Sequence, residues 1–233
     1  MRVMSLCLVG AFALTAVNLS ATSGREDSIE RLHMASDTLV AMINTPDKGI
    51  PEEVLSNAKC IVVVPHLVKG GFVVGGEHGR GVASCRTSEG WSAPAFVSIG
   101  GGSWGLQIGL EGVDLVMVVM NDNGLQHMLS SKFKVGADAS ASAGPVGRHA
   151  SAGTDWKMNS EILTYSRSKG VFAGISLDGA VVEQDKDSTR AIYGRDASFR
   201  ATLAGRVHAP QSTHAFMKEL AQTARTSAVA EAK

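Results

Sequence analysis

Between residues 60 and 120 the chain passes through the apolar runs "CIVVVP", "GGFVVGG", "GVASC", "APAFVSI", "LQIGL" and "DLVMVVM", separated by a few glycine, proline or polar residues. Short β-branched runs bounded by turn formers read as strands. Parallel neighbours need a crossover of roughly a dozen residues or more, and these gaps leave no room for one. The sheet is therefore expected to be mainly antiparallel.

The flanks have a different texture. Ile29, Leu32, Leu39 and Ile43 recur at helical spacing with polar residues between them, which predicts an amphipathic helix over 27–44. Pro51 followed by Glu52 and Glu53 opens a short second helix, and "NDNGLQHMLSSK" reads as a third with Asn121 or Asp122 as its N-cap. From Val135 to Ala143 small residues alternate, which suggests strands pressed against another element; a low-complexity linker is the alternative. "EILTYSRS", "GVFAGISL" and "AVVEQD" continue the strand pattern, and residues 211–230 read as a helix with Phe216 and Leu220 on one side. No linker or repeat divides the chain, so one α+β domain is expected over 24–233, its core over about 50–194. Hydrophobic residues make up 44% of the chain and aromatic ones 5%, so small aliphatics must fill that core.

Residues 1–23 are set apart from the fold. Arg2 precedes an apolar run from Val3 to Val17, and Ala21 and Ser23 stand at the −3 and −1 positions of a cleavage site before Gly24, the pattern of a secretory signal peptide. A membrane-anchoring helix is the alternative, but the run is shorter than the roughly 20 apolar residues a span needs. An exported chain, periplasmic or secreted, is expected. The whole chain has 22 basic and 22 acidic residues. Removal of the segment takes away Arg2 and leaves 21 against 22, a balance that argues against general nucleic-acid binding. Two cysteines remain, Cys60 and Cys85. In an oxidising compartment the pair reads as a disulfide, with two buried free thiols as the alternative.

Little in the sequence carries catalytic chemistry. Gly100, Gly102 and Gly105 match G-x-G-x-x-G, with Asp122 where a ribose-binding acid would stand. That motif needs a helix after the glycines to hold a pyrophosphate. Leu106, Ile108 and Leu110 instead alternate with Gln107, Gly109 and Glu111, a strand pattern, so no nucleotide is expected there. The glycines are assigned to a turn or sheet bend with close backbone approach or positive φ. The seven histidines show no metal-ligand spacing, and Glu77 and His78, adjacent on a strand, point to opposite faces. "HASAG" and "GISLD" both fail G-x-S-x-G. No catalytic residue, metal or cofactor is expected. Lys69, Arg80, Arg86, Lys132, Lys134, Arg148, Arg167 and Lys169 flank glycine-rich turns or strand ends, where a cation beside free backbone N–H groups makes an anion site. Solvated turn charges are the alternative.

"AKCIVVVP", "KGGFVVGGEHGRGV", "WSAPAFVSIGGGSWGLQIG", "DLVMVVMN", "KFKVGADASASAGPVGR", "YSRSKGVFAGISLDGA" and Tyr193-Gly194 together resemble, in order, the SYLF family of lipid-binding domains. The resemblance implies a glycine-rich antiparallel sheet, barrel-like or strongly curved, with helices around it, and makes the Gly100–Gly105 stretch a strand pair. It implies a non-enzymatic protein. Eukaryotic members bind phosphoinositide membranes and some yeast relatives bind actin filaments. With its export signal and no SH3 or FYVE module in these residues, the chain is similar to the stand-alone bacterial type. Anionic lipid or a membrane surface is the implied partner, bound through Lys69, Arg80, Arg86, Lys132, Lys134, Arg148 and Lys169. An envelope structural or protein-interaction module without a lipid site is the rival. Cys60 stands where the family more often has glycine, which fits an added disulfide.

Overall fold

Runs such as "IVVV" and "LVMVV" lack polar alternation, as strands do when both faces of the sheet are covered. The computed structural model, which describes residues 13–45, 49–72, 74–104, 109–146, 160–168, 171–173, 177–194 and 197–230, shows that arrangement. Its strands are β1 (Cys60–Phe72), β2 (Val74–Thr87), β3 (Gly90–Trp91), β4 (Ala95–Trp104), β5 (Gly109–Val119), β6 (Lys132–Lys134), β7 (Ala141–Ala143), β8 (Ile162–Ser168), β9 (Val171–Ala173) and β10 (Val181–Gln184). They form one sheet in the order β6-β10-β4-β2-β1-β5-β8-β7, with β3 added to β2 and β9 to β8. Every ladder is antiparallel except β7 on β8. The sheet is a strongly curved half-barrel within a single α+β domain, as expected.

Successive strand residues feed two cores. Ile61, Val63, Val82, Phe96, Val116 and Val118 face the helices. There α1 (Ala13–Ile43) contributes Leu32, Ala35, Leu39 and Met42, one side of a helix, α2 (Glu52–Asn57) adds Val54 and Leu55, and α6 (His214–Ala230) adds Phe216 and Leu220. Val62, Val64, Ala83, Val97, Leu115 and Met117 fill the other face. That face is closed by Met128 of α3 (Asp122–Leu129) and by Phe199 and Leu203 of α5 (Phe199–Leu203). Cys60 and Cys85 are directly opposite in the β1–β2 register, with Cα atoms 3.9 Å apart, and form the expected disulfide.

Some expectations need correction. Gly100, Gly101 and Gly102 lie inside β4, none with positive φ, rather than at a turn. A Cβ on Gly101 would stand 3.0 Å from Ala180 Cα, whereas on Gly102 its nearest neighbour would be Gly75 O at 3.9 Å. Close approach therefore explains Gly101 and does not explain Gly102; Gly105 lies outside the described residues. The two strands of this stretch are not paired with each other, because β2 and β1 stand between β4 and β5. The alternation from Val135 to Ala143 yields strand only at Ala141–Ala143. Before it, Gly136 at φ +80 turns the chain and Lys134 N–H donates to Asp138 Oδ2.

Two helices were not expected. α4 (Lys186–Tyr193) is capped by Asp185, whose Oδ1 accepts from Ser188 N–H at 3.0 Å, and ends at Gly194 in the left-handed region, φ 68. α5 is capped by Ser198.

Candidate functional site

Pro65 interrupts the most central apolar run. Proline has no N–H to give the ladder, and in a central strand it forces a bulge. β1 carries one extra residue here against both neighbours: its register moves from Val63↔Val82 to Val68↔His78 on β2, and from Val64↔Leu115 to Leu67↔Val113 on β5. The bulge sets His66 at φ 54, the one non-glycine residue with positive φ among those described. Such outliers persist where the surroundings impose them, and bulges re-aim side chains. His66 N–H donates to Asp114 Oδ1 at 3.3 Å, while Arg167 Nη2 holds Asp114 Oδ2 at 3.1 Å. Opposite the bulge, a Cβ on Gly79 would lie 2.7 Å from Leu67 Cδ1 and Val64 Cγ1, so only glycine fits beneath it.

The bulge forms one wall of a groove of about 370 Å³ against α1. β1 supplies Pro65, His66 and Val68, and β2 supplies His78, Gly79 and Arg80; across the groove stand Asp27, Glu30, Arg31 and Met34 of α1. Val68 and Met34 are 45% and 37% exposed, large apolar side chains at the rim. At the floor, buried Arg31 donates from Nη1 to Asp185 Oδ2 at 3.0 Å and to Ser188 Oγ at 2.8 Å. Arg80 Nε reaches the same Asp185 oxygen at 3.4 Å, with its side chain 49% exposed to the groove. Burial lowers the Arg31 pKa, and Asp185 opposes that shift. Burial also acts to raise the Asp185 pKa, but donors from Ser188 and the charges of Arg80 and Arg31 outweigh it and hold the carboxyl below its ordinary value. The groove thus has hydrogen-bond donors on the sheet side and carboxylates on the helix side.

Among the described residues, Arg80 is the one cation expected at a site that lines this groove, with Arg167 behind it through Asp114 and His66. Lys69 is largely buried in an ion pair with Glu77 at 2.9 Å. Arg86 donates to Ala58 O and Leu55 O, each at 3.0 Å, and its guanidinium lies 4.7 Å from the Trp91 ring centre, so it ties down the end of α2. Lys132 and Lys134 are exposed together on edge strand β6, where Lys132 pairs with Glu183 at 3.2 Å. Arg148 and Lys169 lie outside the described residues. His66, Arg31, Val68 and Met34 were not among the expected site residues; Pro65 within "IVVVPHLV" was the signal that could have located His66. Among the described residues no cluster of His, Cys, Asp and Glu could hold a metal, and no helix is long and apolar enough to cross a membrane.

A family model described as "Ysc84: Las17-binding protein actin regulator" matches residues 100–223. The chain is 36% identical over 165 residues to the SH3 domain-containing protein PJ696.02 of Schizosaccharomyces pombe, covering 69% of this chain and 38% of the relative. It is 33% identical over 175 residues to SH3 domain-containing YSC84-like protein 1 of Rattus norvegicus, covering 74% and 51% respectively. It is 32% identical over 178 residues to Protein YSC84 of Saccharomyces cerevisiae, covering 75% and 38%. The alignments thus span 38–51% of the length of these relatives. With a model matching more than half of its length and relatives above 30% identity over more than two thirds of it, the chain belongs to the Ysc84 (SYLF) family.

Proposed function

We propose that the chain is a non-enzymatic binding module for anionic lipid headgroups at a cell-envelope membrane. The observation that carries this reading is the convergence of Arg80, His66 and His78 on one groove whose rim exposes Val68 and Met34. A guanidinium and imidazole N–H groups suit phosphate oxygens, and apolar rim residues suit the chain beside the headgroup. Asp27 and Glu30 on the facing helix oppose multiply charged anions. A phosphodiester with one negative charge therefore fits better than a polyphosphorylated headgroup. Flotation with vesicles of phosphatidylcholine alone, and of equimolar phosphatidylcholine and phosphatidylglycerol, tests the reading. Binding to the second and not the first is the expected result; binding to neither overturns it.

A protein-interaction module without a lipid site is the second reading, and the relatives favour it. "LAS seventeen-binding protein 3" of Saccharomyces cerevisiae, 30% identical over 178 residues, is named for a protein partner. Failure of vesicle binding leaves this reading in place.

A further inference from the structure

The groove is bipolar. Its sheet wall carries Arg80 and His78, two residues apart on β2 and so on one face of the strand, together with His66 at the bulge. Its helix wall carries Asp27 and Glu30, both exposed. Carboxylates accept hydrogen bonds and donate none, so the helix wall suits a donor where the sheet wall suits an acceptor. Arg31 does not supply that donor. Its Nη1 is spent at the floor on Asp185 and Ser188, and Asp27 acts on it more weakly than Asp185 does.

The groups are also ordered. Asp27, Glu30 and Met34 follow helical spacing along one side of α1, about 10 Å from first to last at the rise of roughly 1.5 Å per residue. Arg31, between the carboxylates and Met34, shares Asp185 with Arg80 and so fixes Arg80 at that level. The order along α1 is acid, guanidinium, apolar rim.

We infer that the groove takes a phospholipid headgroup that carries a primary ammonium beyond its phosphodiester. In such a lipid the order is ammonium, phosphate, acyl chain, which matches carboxylates, Arg80 and Met34. The inference rests on the headgroup reading above and adds the group that the helix wall recognises. An ammonium brings three N–H donors and one positive charge to Asp27 and Glu30. Glycerol hydroxyls donate but leave both negative charges unbalanced, and the quaternary ammonium of phosphatidylcholine has no N–H to give. The groove, about 370 Å³, is at the small end of ligand sites and suits a single headgroup.

Phosphatidylserine carries the ammonium at the same net charge as phosphatidylglycerol, so the two lipids separate the ammonium from surface charge. Wild type and Asp27→Asn with Glu30→Gln are titrated with vesicles of phosphatidylcholine and an equal amount of either lipid. Wild type should bind the phosphatidylserine vesicles roughly three- to fivefold more tightly, the range an exposed ion pair supports. The variant, its melting checked against wild type, should lose that preference. It should bind phosphatidylglycerol vesicles at least as well as wild type does, since the repelling carboxylates are gone. A wild type that binds both vesicles, but phosphatidylserine no more tightly, overturns the ammonium and leaves the headgroup reading standing. Binding to neither overturns both. A preference that survives in the folded variant belongs to the serine carboxylate and contradicts the proposal. If the variant does not fold, the wild-type comparison decides alone.

Discussion

Arg31 on α1 and Asp185 at the cap of α4, 154 positions apart in sequence, meet at 3.0 Å in a buried ion pair. The same carboxylate accepts from Ser188 N–H at 3.0 Å and Ser188 Oγ at 2.8 Å. One side chain therefore starts a helix, neutralises a buried arginine and anchors Arg80 at the groove.

Removing the acid should cost more than removing the base. Asp185→Ala strands Arg31 without its counter-charge, for which buried pairs set a cost of about 3–5 kcal/mol, and uncaps α4 as well. Arg31→Met leaves Asp185 its Ser188 donors and Arg80, and should cost less. Urea unfolding of both variants checks the order; equal losses contradict it.

The same carboxyl sets an acid limit. Its pKa is lowered in the fold, where the Ser188 donors and the two arginines outweigh the opposing effect of burial. Its stabilisation is therefore complete above the unfolded-state value of about 3.9 and is lost as pH falls through the lowered folded value. The fall in Tm below pH 4 should be shallower in Asp185→Asn than in wild type. Parallel curves would remove Asp185 from the acid response.

The disulfide joins register partners 25 residues apart. Closing such a loop stabilises by roughly 3–4 kcal/mol in the chain-entropy model. Cys60→Ala with Cys85→Ala should lower unfolding free energy by about 2–4 kcal/mol, the usual range for a lost bridge. Non-reduced peptide mapping should recover the two cysteines in one crosslinked fragment; separately alkylated thiols refute the bridge.

The glycines separate two explanations. Gly101→Ala drives a methyl to 3.0 Å from Ala180 Cα and should destabilise by about 1–3 kcal/mol, as overpacking does. Gly102→Ala meets nothing closer than 3.9 Å and should be nearly neutral. Thermal melts of the two variants check this, and the reverse order would contradict the β4 geometry.

The sheet was legible because strands covered on both faces read as unbroken apolar runs, and "IVVV" and "LVMVV" are such runs. The α1 stripe was legible by its period. α4 was missed although Asp185 and Gly194 are ordinary start and stop residues, because its buried positions, Ser188, Thr189 and Ile192, include only one strong hydrophobe. The groove was illegible for a different reason. Arg31 and His66 belong to separate apolar patterns, and only the Pro65 bulge and the docking of α1 bring them together. Cations chosen for their neighbouring glycines could not reveal that Lys69 is taken by Glu77 or that Arg86 is taken by α2.

Arg80 is the most direct point of attack on the lipid reading. It is half exposed, and Asp185 keeps Arg31 when it is lost. A cation near an anionic surface contributes about 1 kcal/mol, roughly fivefold in affinity, and salt screens it. Titrating equimolar phosphatidylcholine–phosphatidylglycerol vesicles into wild type and Arg80→Gln with His78→Gln, at low and at physiological salt, should show the variant about fivefold weaker or worse at low salt. The difference should narrow as salt rises while both proteins melt alike. Equal vesicle affinity of the folded variant and the wild type would contradict the assignment of the groove as the headgroup site.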